Sequence, residues 1–516
     1  MRPQMGQADI QSAVDKLEFE RRKALVEARA IIERSNRDEL LFMLIHFHHL
    51  LRVIRVTKAS ELSGATQAMS GITEDNYAYA IQLVYKYGRS DQASVIDSDY
   101  YRLFKICQFV NSSFEMETML RHLPFRRSGE RLQHFKIFLD AMASNDERRR
   151  LYEYGARHEL DSSLRQASWK QSRELLTELF PESMDTEFLQ VFGLTIKQVS
   201  EFYDQMLAEV STNLTRAVRS MPQLSEDRVD IMSFDSFRAA RFAYTINYDT
   251  FLDRFGLEKK HFRKFLLKQM LKRDEVDEFE LRHFIVWRHP ICRLSRAAFT
   301  FSPEILTFSP NIGLHYALLE DSRTKDSYQA KRAAQFQNRV EATLILSGLR
   351  VIGTNLDAKV GKREIGDIDI LAEDERFYFN VECKGAILPL RVYFHDFDYI
   401  RDVHLPYLRD EKEWDKKVVT RGRWLEEHRQ ELQLTGDKPI VSLIVSDSPE
   451  VLSHFSPTLC LSLHEFPLWY ASVLKEKRFI DFNEFLKETL WKRMTVPTGE
   501  SKDEFYKEIG LSFERE

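Results

Sequence analysis

Two short runs near the middle of the C-terminal half alternate with a period of two: GDIDILA, residues 366–372, and FYFNVECK, residues 377–384. In the first, Asp367 and Asp369 alternate with Ile368 and Ile370, so a strand here carries carboxylates on one face and core residues on the other. In the second, Phe377, Phe379, Val381 and Cys383 take one face, and Tyr378, Asn380, Glu382 and Lys384 take the other. The polar AEDER between them reads as a hairpin connection. Pairing of the two strands would set Asp369 and the Glu382/Lys384 pair on a shared face near the strand ends.

A helix is expected just upstream, over QNRVEATLILSGLRV, residues 337–351. It carries Glu341 among Val340, Leu344 and Ile345, near the side that would pack on the sheet. A carboxylate there is expensive to bury unless it is paired or bound to a metal. Carboxylates and a lysine converging in this way suit Mg2+ or Mn2+, hard cations that take oxygen ligands and bridge to phosphate oxygens. Asp369, Glu382 and the main-chain carbonyl of Cys383 form the expected ligand set, with Glu341 joining directly or through a water. Lys384 would position or help deprotonate the attacking water and offset charge on the phosphate.

Glu341, Gly366-Asp367-Ile368-Asp369 and Glu382-Cys383-Lys384 together resemble the PD-(D/E)xK restriction-endonuclease-like superfamily, most of all its Holliday-junction-resolvase-like and Mrr-like branches. The resemblance covers residues 330–450. It implies an α-β-β-β-α-β core and Mg2+-dependent cleavage of DNA, or sometimes RNA. By that likeness Glu341 takes the helix position, Asp369 the strand aspartate, and Glu382 and Lys384 the (E/Q)xK positions, all four catalytic. Ile368 stands where the family name has proline, and Asp367 is the alternative aspartate.

At 516 residues the chain is too long for one core. Its 43% hydrophobic and 30% charged residues describe an ordinary soluble protein, and a net charge of −5 does not advertise nucleic acid, although a local basic surface suffices for binding. No signal peptide is expected from the N-terminal sequence, and no apolar run is long enough for a membrane span. Cys107, Cys292, Cys383 and Cys460 are far apart and form no CxxC, which points to a reducing compartment, the cytoplasm.

Residues 1–235 read as helical throughout and form the expected recognition or partner-binding region. His46, His48 and His49 there lack a ligand pattern and read as core or interface residues. A short helix ending near Gly193, followed by TIKQVSEFY, fits a packed helix pair better than a helix-turn-helix reader. Residues 236–329 read as a helical connector. Within it, Lys260, Arg263 and Lys264 surround the apolar Phe262, Phe265 and Leu266, giving an amphipathic basic helix that either follows a nucleic-acid backbone or docks with its basic side wet.

After Lys384 an insertion containing His395, Asp396 and Asp398 forms a wall or lid. A helix over residues 412–432 follows, with Lys417, Arg421, Trp424 and His428 on one face, and Lys417 and Arg421 are candidate phosphate contacts. KPIVSLIVSDS reads as a buried strand and TLCLSLHEF as an edge element. The expected architecture is thus α+β and multidomain: a large helical N-terminal region, then an α/β restriction-endonuclease-like core at 330–465 with a mixed sheet flanked by helices, and a small helical extension at 466–516.

Three functions fit: a Mg2+-dependent endonuclease acting on nucleic acid, DNA rather than RNA; a nuclease fold used for binding or scaffolding without cleavage; and a helical interaction protein with an accidental motif. One active site per chain makes a homodimer the arrangement that would cut both strands of a duplex.

Overall fold

The computed structural model describes residues 7–57, 64–122, 125–127, 135–138, 147, 150, 151, 153–155, 157, 158, 161, 176, 179–220, 241–255, 258–275, 284–360, 363–393, 395–434, 436–490 and 511–514. A large N-terminal helical region is followed by a mixed β-sheet flanked by helices, an α+β multidomain architecture. The described residues cluster into two units, one drawn from 7–117 and 170–329, the other from 118–169 and 330–516. No helix among them is long and apolar enough to cross a membrane.

In the first unit the helices Gln7–Arg34, Arg37–Thr57, Gly64–Tyr87 and Ile196–Ser220 bury residues such as Leu41, Ile45, Tyr79 and Val84. The stretch read as a connector clusters here, and part of it is not helical. Ile246–Asn247, Ile291–Arg293 and Ala298–Phe301 form a small antiparallel sheet with Ala298–Phe301 in the middle. The three histidines find hydrogen-bond partners within the unit: His46 with the Tyr244 hydroxyl at 3.0 Å, His48 with Ser302 Oγ at 2.9 Å, and His49 with Glu304 at 3.0 Å. Phe188 and Val191 of Asp185–Val191 and Val199 and Phe202 of Ile196–Ser220 are buried, and the Ile196 N–H donates to Asp185 at 2.7 Å across the turn.

The second unit is built on α1 (Lys325–Leu346), β1 (Arg350–Val360), β2 (Arg363–Glu373), β3 (Tyr378–Lys384), α2 (Trp414–Glu427), β4 (Ile440–Ser446), β5 (Leu459–Ser462) and α3 (Glu465–Glu476). The sheet order is β5-β4-β3-β2-β1. The pairs β1–β2 and β2–β3 are antiparallel, and β3–β4 and β4–β5 are parallel. Asp374 makes the hairpin connection by accepting from the N–H groups of Arg376 and Phe377, each at 2.7 Å.

The expected helix to Val351 ends instead at Leu346. Gly348, at φ +93°, adopts the left-handed conformation that stops it, and Leu349 N–H returns to the Leu344 carbonyl at 3.1 Å. Val351 already lies in β1, a strand with no clean alternation because its register against β2 shifts twice, at Val351/Gly353 and at Ala358/Lys359.

The two faces of the sheet bury different partners. Ile370, Ala372, Phe379 and Val381 pack against Phe336, Val340 and Leu344 of α1 and against Phe466, Trp469 and Tyr470 of α3. Phe482, Phe485 and Leu486 join the same core, so residues 465–486 complete this domain, where the sequence suggests an extension. On the other face Trp424 and Leu425 of α2 cover Leu371 and Tyr378.

The insertion is a run of short helical turns whose Val392, Phe397, Ile400, Leu405 and Leu408 share a core with Val418 of α2, Ile444 of β4, Cys460 of β5, and Leu151 and Tyr154. Arg157 binds the preceding segment to this unit. It is completely buried and donates to both carboxylate oxygens of Glu465 at 2.7 Å, to the Cys460 carbonyl at 2.7 Å and to the Glu450 carbonyl at 3.1 Å. Residues 118–169 therefore cluster with the sheet although they precede it by two hundred residues in a region read as helical. Phe125–Arg127 and Phe135–Phe138 are also strands, and Leu511–Glu514, in the tail read as helical, adds a third strand beside them.

Candidate active site

Continuing the β2–β3 register one residue past the Ile370–Val381 pair sets Asp369 opposite Glu382. Glu382 lies on the side of the sheet that meets α2, as Asn380 two residues earlier shows by donating to the Val418 carbonyl at 3.1 Å and to Ser442 Oγ at 3.0 Å, and the Asp369 charge acts on Lys384 and Arg421 there. The expected alternation is interrupted just before Asp369: Ile370 packs with α1, whereas Ile368 packs with Leu371 and Trp424 in the cluster under α2.

Asp369 Oδ2 accepts from the Cys383 N–H at 2.6 Å. Its strand is held from behind by Gln337 of α1, whose amide donates to the Asp369 carbonyl at 2.8 Å and to Asn355 at 3.0 Å. The Asp369 carboxyl lies above its ordinary pKa because burial disfavours the charged form, against the opposing pull of the Cys383 N–H, Lys384 and Arg421, while Asp367 adds to the rise.

Glu382 is almost completely buried, and both of its oxygens are engaged, one by the Lys384 ammonium and the other by the Arg421 guanidinium. Lys384 is pushed below its ordinary pKa by burial, opposed chiefly by Asp369, and its ammonium lies 5.8 Å from the centre of the Trp414 ring. Arg421 is likewise lowered by burial and supported by Asp369 and Asp367. With Asp369 ionised, these four side chains carry no net charge.

Glu341 belongs to α1, one turn on from the Gln337 that bonds the Asp369 carbonyl. Its charge acts on the Cys383 thiol, which burial pushes well above its usual pKa. Among the described residues, no three His, Cys, Asp or Glu side chains gather where they could hold a metal ion. The donors in this region are the two carboxylates of Asp369 and Glu382 and main-chain oxygen. Asp367 is exposed and pairs across the strands with Asp357.

The phosphate-contact candidates divide. Lys417 is exposed on α2, whereas Arg421, four residues on, is turned inward to Glu382. Trp424 is also inward, donating to the Lys359 carbonyl at 2.8 Å, and His428 stacks on it. Lys260 and Arg263 are exposed on the helix Lys259–Gln269, whose Phe262, Phe265 and Leu266 are buried. Lys264 instead reaches the carbonyls of Leu189 and Gln190 at the end of a neighbouring helix of the same unit. In the insertion Asp396 caps a turn by accepting from Tyr399 N–H and pairs with Arg391, Asp398 pairs with Arg401, and His395 stacks on Phe397.

Three features were missed by the sequence reading: the Gln337 contact, the Arg421–Glu382 pair, and an ion pair between Arg332 and Asp447 at 2.7 Å beside the end of β3. The one signal for the second was glycine. Gly366, at φ +99°, leaves the space that the Arg421 guanidinium enters, since a Cβ there would lie 2.5 Å from Arg421 Nη2.

No family model, curated protein or solved structure matches this chain.

Proposed function

We propose that the sheet-bearing unit is a Mg2+-dependent nuclease of the PD-(D/E)xK kind, cutting DNA internally, with Asp369, Glu382 and Lys384 as its working residues. What supports this is the closeness of three groups at the ends of adjacent antiparallel strands: the Cys383 N–H donates to the Asp369 carboxylate, and Lys384, beside it, pairs with Glu382. The order α1-β1-β2-β3-α2-β4 supports it, being the order that the resemblance implies.

The donor set fits a hard cation. Asp369, Glu382 and the Cys383 carbonyl offer oxygen alone, and the buried Asp369 carboxyl, held above its ordinary pKa, would be stabilised in its charged form by a cation. These three groups would hold Mg2+ or Mn2+, with Glu341 joining directly or through a water. Bound there, the ion would polarise the phosphate and acidify a water. Lys384 would orient that water and offset phosphate charge, while the Cys383 N–H keeps Asp369 in its rotamer. Lys417, Lys260 and Arg263 are the exposed cations proposed to meet the nucleic-acid backbone.

DNA over RNA, a homodimer and a cytoplasmic location belong to the same proposal, the last supported by four free cysteines. The test is nicking of a closed circular DNA by the full chain with Mg2+. Loss of nicking in Asp369→Ala and in Lys384→Ala is the expected result, and activity that survives both would overturn the assignment.

A second reading, a nuclease fold that binds without cutting, is favoured by the engagement of both Glu382 oxygens with cations. It expects metal-independent DNA binding, unchanged by either substitution, and no cleavage.

A further inference from the structure

Among the described residues two buried arginines pair with buried glutamates, and they are built differently. Arg157 is saturated: its Nε, Nη1 and Nη2 all donate, to a carboxylate and to two main-chain carbonyls. That arrangement is a structural lock, since removing the arginine would strand several groups at once. For Arg421, by contrast, Glu382 is the one hydrogen-bond partner among the described residues, and its buried Nε has no acceptor. A buried donor left unpaired is a standing penalty in this state of the site.

The surroundings of Arg421 fix its backbone and leave its guanidinium held by one partner, Glu382. Gly422 presses α2 against β4 so closely that a Cβ would fall 2.3 Å from Ser442 Oγ, which fixes the helix. Gly366 supplies the slot on the β2 side that the guanidinium fills, since a Cβ there would lie 2.5 Å from Arg421 Nη2. The position that Arg421 occupies is electrostatically that of a cation: it neutralises Glu382 and is supported by the charges of Asp369 and Asp367.

We propose that Arg421 is an exchangeable counter-ion, holding Glu382 until a divalent cation takes that carboxylate and then turning its guanidinium to the substrate phosphate. This deepens the metal-site assignment above and rests on it. Its consequence is coupling: Arg421 competes with the cation when no substrate is present, and a phosphate ligand relieves the competition by giving the guanidinium a bidentate partner.

Two measurements on the full chain test it. Mn2+ binding is measured by titration calorimetry without substrate in the wild type, Arg421→Gln, Arg421→Lys and Asp369→Asn. Arg421→Gln should bind Mn2+ at least about fivefold more tightly than wild type, the lower end of ordinary coupling strengths, while Arg421→Lys, which keeps the charge, should stay close to wild type. Unchanged or weaker binding in Arg421→Gln would overturn the exchange while leaving the metal site intact. Absence of Mn2+ binding that depends on Asp369 would overturn the metal site itself, and the exchange with it.

The second measurement needs no variant, so it stands even where Arg421→Gln fails to fold. Phenylglyoxal labelling of the wild-type protein, mapped by mass spectrometry, should rise several-fold at Arg421 when Mg2+ is added and should stay negligible at Arg157. Equal labelling of Arg421 with and without Mg2+, in a protein whose Mn2+ binding depends on Asp369, would overturn the proposal.

Discussion

The main-chain N–H of Cys383 donates to the Asp369 carboxylate at 2.6 Å, tying the aspartate of one strand to the backbone of the next. This contact orients Asp369 without neutralising it, and burial still holds the carboxyl above its ordinary pKa. A folded-state pKa above the unfolded one means that stability is greatest with the group protonated and is lost as pH rises through the folded value. Asp369→Asn keeps an acceptor for the Cys383 N–H and removes the charge. It should therefore melt higher than wild type at pH 7–8, with the difference fading below the ordinary carboxylate range. Thermal melts across pH check this, and added Mg2+ should narrow the gap at neutral pH if the wild-type site binds the ion.

Gly422 and Ser442 form a contact that a single methyl group would break. The Gly422→Ala Cβ would sit 2.3 Å from Ser442 Oγ but 3.5 Å from Ser442 Cβ. The single variant should lose about 1–3 kcal/mol to overpacking. Gly422→Ala combined with Ser442→Ala should recover most of it, because the clashing oxygen is gone and Asn380 keeps its bond to the Val418 carbonyl. Denaturant unfolding of the four proteins in this cycle measures the coupling.

Arg157 and Glu465 are both essentially without solvent contact. Arg157→Ala leaves Glu465 charged and alone, and should destabilise the sheet-bearing unit by about 3–5 kcal/mol. Arg157→Met with Glu465→Met should be milder than the single change, since no unpaired charge remains. Urea unfolding, read by a probe in the sheet-bearing unit, distinguishes the two outcomes.

His46 lies in the helical unit, where burial lowers its pKa from 6.5 to about 4, with His49 adding to the effect. A depressed histidine pKa contributes stability that is full above the unfolded value and is lost as pH falls through the folded one. Unfolding of that unit should lose about 3 kcal/mol between pH 6.5 and 4 on this account. In His46→Gln that component of the pH slope should disappear, whatever the variant's absolute stability. Hydrogen exchange in the helix Arg37–Thr57, followed against pH, reads it directly.

The legible parts of this protein are those whose signal is local. A period of two over GDIDILA and FYFNVECK contains the two strands, because side chains on an extended chain alternate, although Ile368 and Ile370, expected on one core face, pack in different clusters. The apolar KPIVSLIVSDS contains a central strand for the same kind of reason: β4 is covered by parallel neighbours on both edges. β1 was not legible, since two register shifts and Gly353 erase its alternation.

Glu341 illustrates the limit in the site. Its place on a helix was readable, but which face of the sheet that helix covers was not; that was decided by Phe336, Val340 and Leu344 packing on Ile370 and Val381. Arg421 is the converse. Its position on a basic helix face suggested solvent, whereas the approach of α2 to β3 turned it toward a glutamate 39 residues earlier in the chain.

By itself, then, the sequence determined the local periodicities, the α+β class and the residue types that stand on each strand. Tertiary structure alone decided the charge balance of the site and the membership of each unit, through Arg421 on Glu382 and Arg157 on Glu465. The physical reason is that burial, not spacing, makes an ion pair specific: a charge removed from water takes whichever opposite charge the packing of distant segments has placed within reach.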